Sequence, residues 1–423
     1  VLKQREMSKH PIKVGLIGCG EMGKGILNQI NFFTPGIKLL IIYNRTLEKS
    51  VKACYELGIK NYKIDKDVES AEKNLEKGKI ILTDRLELLF ELTQIDVLIE
   101  ATGTISFASA TIMQAFKAGK HVLSFNAELD STLGPVLYHK SKEYNVKYAL
   151  GDGDQPGVIM NLYRYVRMMG FKPMVCGNIK GMQDRYRTPD TQKAFAAKWG
   201  MNPCMATNFA DGTKLSFEQS CVANATGMGI AKRGMIGPES VEHIDKLTHL
   251  FDFEQLKSSA GIVDYIVGAQ PSPGVFVFAS CEDTFSRKYL EYGKMGKGPL
   301  YSFYTPYHLL FFDIASSVSR MIDFDDPVVI PIKGSVVDVI AVAKTDLFPG
   351  DILDGIGGFK AYGLCENHSV RLEENLLPMG LAEGCVIKKR VKKDSVITYN
   401  DVEIPRVRLI DELMELQNRL QEN

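Results

Sequence analysis

Between Ile12 and about Asp152, short apolar runs alternate with amphipathic stretches. The runs IKVGLIG (12–18), KLLIIYN (38–44), DVLIEAT (96–102), HVLSFN (121–126) and VKYALGD (146–152) are largely apolar without alternation. Such runs are expected of strands covered on both faces. Between them, TLEKSVKACYELG and ISFASATIMQAFKAGK repeat apolar positions every three or four residues, which predicts helices. KDVESAEKNLEKGK (66–79) is charged and predicts a helix with a solvated face. Strands alternating with helices predict an α/β fold with a doubly wound parallel sheet.

The alternation stops after residue 152. From 153 to about 330, Gly/Pro-punctuated loops mix with helical segments such as TPDTQKAFAAKWG and FEQSCVANATGMGIAKRG. YIVGAQPSPGVFVFASC and GPLYSFYTPYHLLFFDIASSVSRM read as strands followed by an apolar helix. This predicts an α+β domain over 153–330. The tail, 331–423, holds short β-like runs with Pro-Gly and Asp-Gly turns, a small β-rich domain closed by a charged helix near 407–421.

A chain of 423 residues supports this division, each part with a core of its own. The 51 basic and 51 acidic side chains cancel, so no global field argues for nucleic acid or an anionic membrane. Eight cysteines without a C-x-x-C pair suit reduced thiols better than a zinc or disulfide framework. The stretch VLKQREMSKH lacks an apolar signal-peptide core, and no run is long enough to span a membrane. A cytoplasmic protein is expected. His121, His139 and His308 stand at no metal-ligand spacing and read as structural or surface residues.

The first predicted strand runs into Gly18-x-Gly20-x-x-Gly23, which opens a helix. The first glycine permits a tight turn and the second a close approach to a pyrophosphate. The third permits close helix–strand packing, with the helix N-terminus facing the phosphates. Residues 1–152 therefore read as a Rossmann-type dinucleotide-binding domain, with Gly18, Gly20, Glu21, Met22 and Gly23 at the cofactor. An acidic residue at the end of the second strand would select a ribose 2′-hydroxyl. Asn44, Arg45 and Thr46 stand there instead, and a guanidinium suits a 2′-phosphate. NADPH is the expected cofactor. Ala101, Thr102 and Gly103 in EATGT fit the loop on the nicotinamide side, or simply a strand-to-helix turn.

Polar residues concentrate between 151 and 233. GDGDQPGV places Asp154 and Gln155 in a rigid loop. Lys180, Asp184, Arg185, Arg187, Lys193, Lys198, Asp211, Lys214 and Glu218 follow, close to small residues, with Asn224 further on. Such a set suits a phosphorylated, polyhydroxylated substrate: cations for the phosphate, carboxylates or amides for hydroxyls, a lysine to polarise a carbonyl. Glu218 is expected in the first turn of its helix. Two readings stand for it there, a ligand of Mg²⁺ or Mn²⁺ with Asp211 or Asp184, and a helix cap.

In order, IGCGEMG, EATGT, GDGDQPGV, GNIKGMQDRYR, TQKAFAAKWG, FADGTKLSFEQ and ANATGMGIAKRG resemble the 1-deoxy-D-xylulose 5-phosphate reductoisomerase-like family. These are homoserine-dehydrogenase-type NADPH proteins with a C-terminal SAF domain, which the tail from AKTDLFPGDILDGIGG resembles. The resemblance implies rearrangement of 1-deoxy-D-xylulose 5-phosphate and reduction to 2-C-methyl-D-erythritol 4-phosphate, a step of isoprenoid precursor synthesis. It assigns Asp184, Asp211 and Glu218 to substrate hydroxyls or a divalent cation, Lys193 and Lys214 to the carbonyl, and Arg185 and Arg187 to the phosphate. The family's metal triad is not recognisable as a motif.

Two alternatives share the same residues. One is an NADP-dependent dehydrogenase of homoserine, or of a polyol or sugar-acid phosphate, without isomerisation. The other is an NADPH-binding regulatory protein, which would not need the polar array. A homodimer is expected, since enzymes of this architecture commonly bury a substrate-domain surface.

Overall fold

The computed structural model describes residues 1–421. The chain forms two compact units. The first comprises Val1–Asp130, Val136–Asp154 and Leu309–Ile330, and the second comprises Ser131–Pro135, Gln155–His308 and the chain from Pro331 onward.

The first unit is built on β1 (Ile12–Ile17), β2 (Ile37–Tyr43), β3 (Tyr62–Ile64), β4 (Ile80–Thr83), β5 (Val97–Glu100), β6 (His121–Ser124) and β7 (Tyr148–Leu150). They form one sheet in the order β3-β4-β2-β1-β5-β6-β7. All its pairings are parallel. This is the α/β, doubly wound Rossmann-type sheet that the alternation predicts, with β1 at the point where the strand order turns. The five long apolar runs are β1, β2, β5, β6 and β7. Two further strands escaped the pattern: β3 is half-exposed to exposed, and β4 is a short apolar stretch hemmed in by charged residues on both sides.

The helix Glu21–Phe33 buries Gly23, Ile26, Leu27 and Ile30. Its apolar stripe joins Val14, Leu16, Ile42 and Ile99 in one core with Ile314, Val318 and Met321. The last three belong to the helix Ile314–Asp323, by which the chain returns to this unit.

The second unit contains β8 (Lys172–Lys180), β9 (Ile262–Val267), β10 (Val275–Ser280) and β11 (Leu300–Thr305), in the order β11-β10-β8-β9. β10 runs antiparallel to β8 and β11, while β9 is parallel to β8. The tail adds the hairpin β12 (Val337–Ala343) and β13 (Ala361–Asn367), the short pair β14 (Val386–Ile387) and β15 (Val402–Glu403), and a helix, Leu409–Gln421.

The helix Thr213–Thr226 organises this unit. It packs on β12, β13, β8, β9 and the helix Gln155–Met168. Thr213 to Ala225 are all buried. A helix so enclosed has no solvated stripe, so its polar side chains need protein partners. Glu218 is the sixth residue of this helix and no acidic residue lies in the first turn. Glu218 therefore does not stand at the helix start, where the sequence led one to expect it. Asp211 and Gly212 turn the chain in sooner than the sequence suggested, with Gly212 at φ 87° as N-cap.

Candidate functional site

In the first unit the glycine turn has the geometry its three roles require. Gly18 takes φ 95°, and its N–H donates to Tyr43 O at 2.9 Å. A Cβ on Gly23 would meet Gly18 O at 2.1 Å, so helix and turn touch through backbone. A Cβ on Gly20, the N-cap of Glu21–Phe33, would meet nothing within 4 Å. That leaves open backbone at a helix N-terminus, the arrangement that receives a pyrophosphate. Met22 packs against the core, and Glu21 pairs with Lys24 at 3.1 Å.

At the end of β2 the three neighbouring residues divide their work. Asn44 Oδ1 accepts from Cys19 N at 2.9 Å, and Asn44 Nδ2 donates to Thr46 O at 2.7 Å. Asn44 is therefore a strut between the glycine turn and the start of the next helix. Arg45 and Thr46 are exposed. Thr46 is the N-cap of Leu47–Glu56 without a side-chain capping bond. These two side chains are free to meet a ligand.

After β5, Glu100 is fully buried beneath the loop Ala101–Gly103. Its Oε1 accepts from Thr102 N at 2.7 Å and from the Thr102 hydroxyl, and its Oε2 from Ser124 Oγ at 3.2 Å. Burial pushes the Glu100 carboxyl above its ordinary range. Gly103 takes φ 72°, which a residue with a Cβ adopts only under strain. Asp152 lies at the end of β7, buried, with its Oδ2 accepting from Ser316 Oγ at 3.2 Å. Burial raises its carboxyl to about 6. Asp154 follows in the same loop.

In the second unit a polar network crosses the core. Asn178 on β8 donates from Nδ2 to Gln155 Oε1 at 3.0 Å and to Glu218 Oε2 at 2.7 Å. Its Oδ1 accepts from Gln219 Nε2 at 2.8 Å. All four side chains are buried. Lys214, one turn before Glu218 on the same helix, is buried as well. Among the expected substrate residues the fold thus brings Gln155 and Glu218 together. Asn178 and Gln219 were missed. The available signal was a polar side chain inside the apolar strand PMVCGNIK, which core packing alone does not require.

The remaining expected residues are placed elsewhere. Lys180 ends β8, half-buried. Asp184 pairs with Arg187 at 3.0 Å, and the Arg185 guanidinium lies 6.0 Å from the Tyr362 ring centre. Lys193 is exposed on the helix Lys193–Trp199 and pairs with Asp190 at 2.7 Å. Asn224 Oδ1 accepts from Val336 N at 2.7 Å and Val337 N at 3.1 Å, so it ties the helix to the tail. Asp211 is held by Lys344 at 2.9 Å, with side chains 0% and 1% exposed. Burial pushes the Asp211 carboxyl up, and the Lys344 ammonium opposes this.

Asp184, Asp211 and Glu218 each answer to a different partner. Among the described residues, no group of three or more His, Cys, Asp or Glu side chains is placed to hold a metal ion. The described residues do not fit a divalent cation. All eight cysteines are free, and seven are buried. Among the described residues no helix is long and apolar enough to cross a membrane.

Comparison with known proteins divides the chain in a similar place. Residues 18–150 match the family model of the homoserine dehydrogenase NAD binding domain, and residues 153–314 that of the oxidoreductase DRL catalytic domain. The chain thus carries the domain pair of a nicotinamide-dependent oxidoreductase. No curated protein matches it. Solved structures that match parts of the chain include an NAD binding oxidoreductase from Klebsiella pneumoniae, at 14% identity and TM-score 0.30. That match covers 41% of this chain and 43% of the Klebsiella one, less than half its length. A DOX-P reductoisomerase in complex with magnesium matches at 10% identity and TM-score 0.42, over 74% of this chain and 70% of that one. Scyllo-inositol dehydrogenase from Lactobacillus casei matches at 16% identity and TM-score 0.34, over 64% and 67%. Superpositions this loose add nothing to the sheet order described above.

Proposed function

We propose that this protein is an NADPH-dependent reductoisomerase that converts 1-deoxy-D-xylulose 5-phosphate to 2-C-methyl-D-erythritol 4-phosphate. The observation that carries the reading is the match of residues 153–314 to the oxidoreductase DRL catalytic domain, over the segment containing the buried Gln155–Asn178–Glu218 network. In the first half of the reaction the ketose loses a hydroxyl proton, one carbon–carbon bond breaks and another forms, and a branched aldehyde phosphate results. In the second half the aldehyde carbon gains a hydride and its oxygen a proton. The bound cofactor supplies the hydride.

The chain's own residues supply the rest. Glu218, oriented by Asn178, takes and returns the hydroxyl proton. Lys214 polarises the carbonyl oxygen, on which negative charge develops. Arg185 and Arg187 grip the phosphate, with Lys180, Asp154 and Gln155 on the hydroxyls. Arg45 and Thr46 favour the 2′-phosphate of NADPH over the bare hydroxyl of NADH. The same proposal includes a three-part organisation (1–152, 153–330, and an SAF-like 331–423), a cytoplasmic location and a homodimer.

The test is NADPH oxidation by the purified protein with 1-deoxy-D-xylulose 5-phosphate, run in EDTA and with added Mg²⁺ or Mn²⁺. A branched polyol phosphate seen by NMR supports the reading, and the EDTA arm decides whether a metal takes part. NADPH binding without turnover of this ketose overturns it in favour of another substrate. Homoserine and a panel of sugar and sugar-acid phosphates would follow.

A further inference from the structure

Lys344 directly follows the strand β12, with its charge buried. Its Nζ donates to Arg187 O, Asp211 Oδ2 and Gly358 O, each at 2.9 Å. An ammonium has three protons, and here each has an acceptor. The three acceptors come from three segments: the polar loop after β8, the entry to the helix Thr213–Thr226, and the turn before β13. Asp211 completes the junction, because its Oδ1 accepts from Thr213 N at 2.9 Å.

The tail and that helix are laced together around this point. Gly363 N donates to Thr213 Oγ1 at 2.8 Å, Ser216 Oγ to Gly363 O at 3.1 Å, and Ser220 Oγ to Val337 O at 2.6 Å. The loop itself is also held from the tail. Tyr186 OH donates to Asp394 Oδ2 at 3.0 Å, while Arg185 lies over the Tyr362 ring. A buried ion pair is a poor device for stability, since apolar side chains of like volume often serve as well. It is a good device for fixing backbone position, because three hydrogen bonds tolerate little displacement.

We propose that Lys344 is a positioning residue, through which the C-terminal β-module fixes the loop carrying Asp184, Arg185 and Arg187. The inference rests on the reading above that this loop grips the substrate phosphate. It gives the tail a role in the site: the tail is the floor on which the phosphate loop is set.

The test uses the full chain with Lys344→Met, and the double variant Lys344→Met with Asp211→Asn. The double variant keeps the volume and the acceptor for Thr213 N while removing both charges. In the double variant, KM for 1-deoxy-D-xylulose 5-phosphate is expected to rise about tenfold or more, with the NADPH dissociation constant within about twofold. Trypsin cleavage after Arg185 and Arg187 is expected to accelerate about tenfold, other sites keeping their rates. Unchanged cleavage at these two bonds overturns the proposal. So does general acceleration at all sites in the double variant, which would make the pair merely structural. If the wild type does not turn over this ketose, the substrate reading fails, yet selective cleavage after Arg185 and Arg187 still supports the clamp.

Discussion

Asn178 Nδ2 lies 2.7 Å from Glu218 Oε2, and both side chains are buried between a strand and a helix distant in sequence. One amide thereby orients a carboxylate and a second amide, that of Gln155. Replacing Asn178 with Ala leaves buried acceptors on Gln155 and Glu218 without this donor. The expected cost is about 1–3 kcal/mol in folding stability, by denaturant midpoint, with a larger loss in kcat than in substrate KM. Asn178→Asp sets a second carboxylate against Glu218 and is expected to be worse on both measures. An Asn178→Asp variant as stable and active as the wild type would remove Glu218 from the proposed proton transfer.

Arg45 is exposed at the end of β2, beyond the Asn44 strut. Arg45→Ala is expected to weaken NADPH by about 1–3 kcal/mol, the worth of one charge-assisted contact, and NADH hardly at all. Fluorescence titration with both cofactors measures this. Equal weakening of the two would show that the arginine does not meet a 2′-phosphate.

The two glycines at the helix entry make a matched pair. A Cβ at Gly23 would stand 2.1 Å from Gly18 O, whereas at Gly20 it would meet nothing within 4 Å. Gly23→Ala should cost about 1–3 kcal/mol of stability through overpacking. Gly20→Ala should leave the melting temperature almost unchanged and still weaken the cofactor, whose phosphates need that space. Thermal melting with and without NADPH separates the two outcomes, and full NADPH affinity in Gly20→Ala would remove the pyrophosphate from this turn.

Asp152 gives a pH signature of defined sign. Burial raises its carboxyl from 3.8 to about 6, so the folded chain binds its proton more tightly than the unfolded chain. The stabilisation is fully present below pH 3.8 and is lost as pH rises to about 6, amounting to about 3 kcal/mol. Asp264 is raised to about 6 by burial as well, so the wild type loses stability through this window at two positions. Asp152→Asn is expected to gain on the wild type steadily between pH 4 and 6 in urea unfolding. A constant difference across that range would show that Asp152 does not titrate there.

The sequence by itself determined the parallel sheet and the dinucleotide turn. β1, β2, β5, β6 and β7 lie in largely apolar runs, and the roles of Gly18, Gly20 and Gly23 follow from backbone sterics within six residues. Local chemistry is enough for such features, because period and spacing are properties of neighbouring positions. It was not enough for β3, which is largely exposed, or for β4, set among charged residues, nor for the start of Thr213–Thr226, which moved Glu218 into the interior. Only the tertiary structure decided which polar side chains meet. Asn178 reaches Glu218 across forty residues and Lys344 reaches Asp211 across 133. Conversely, Lys193 and Asn224, prominent in the polar stretch, go to Asp190 and to the backbone of 336–337. A buried polar group must find a partner wherever the fold brings one, and that partner is set by packing rather than by distance along the chain.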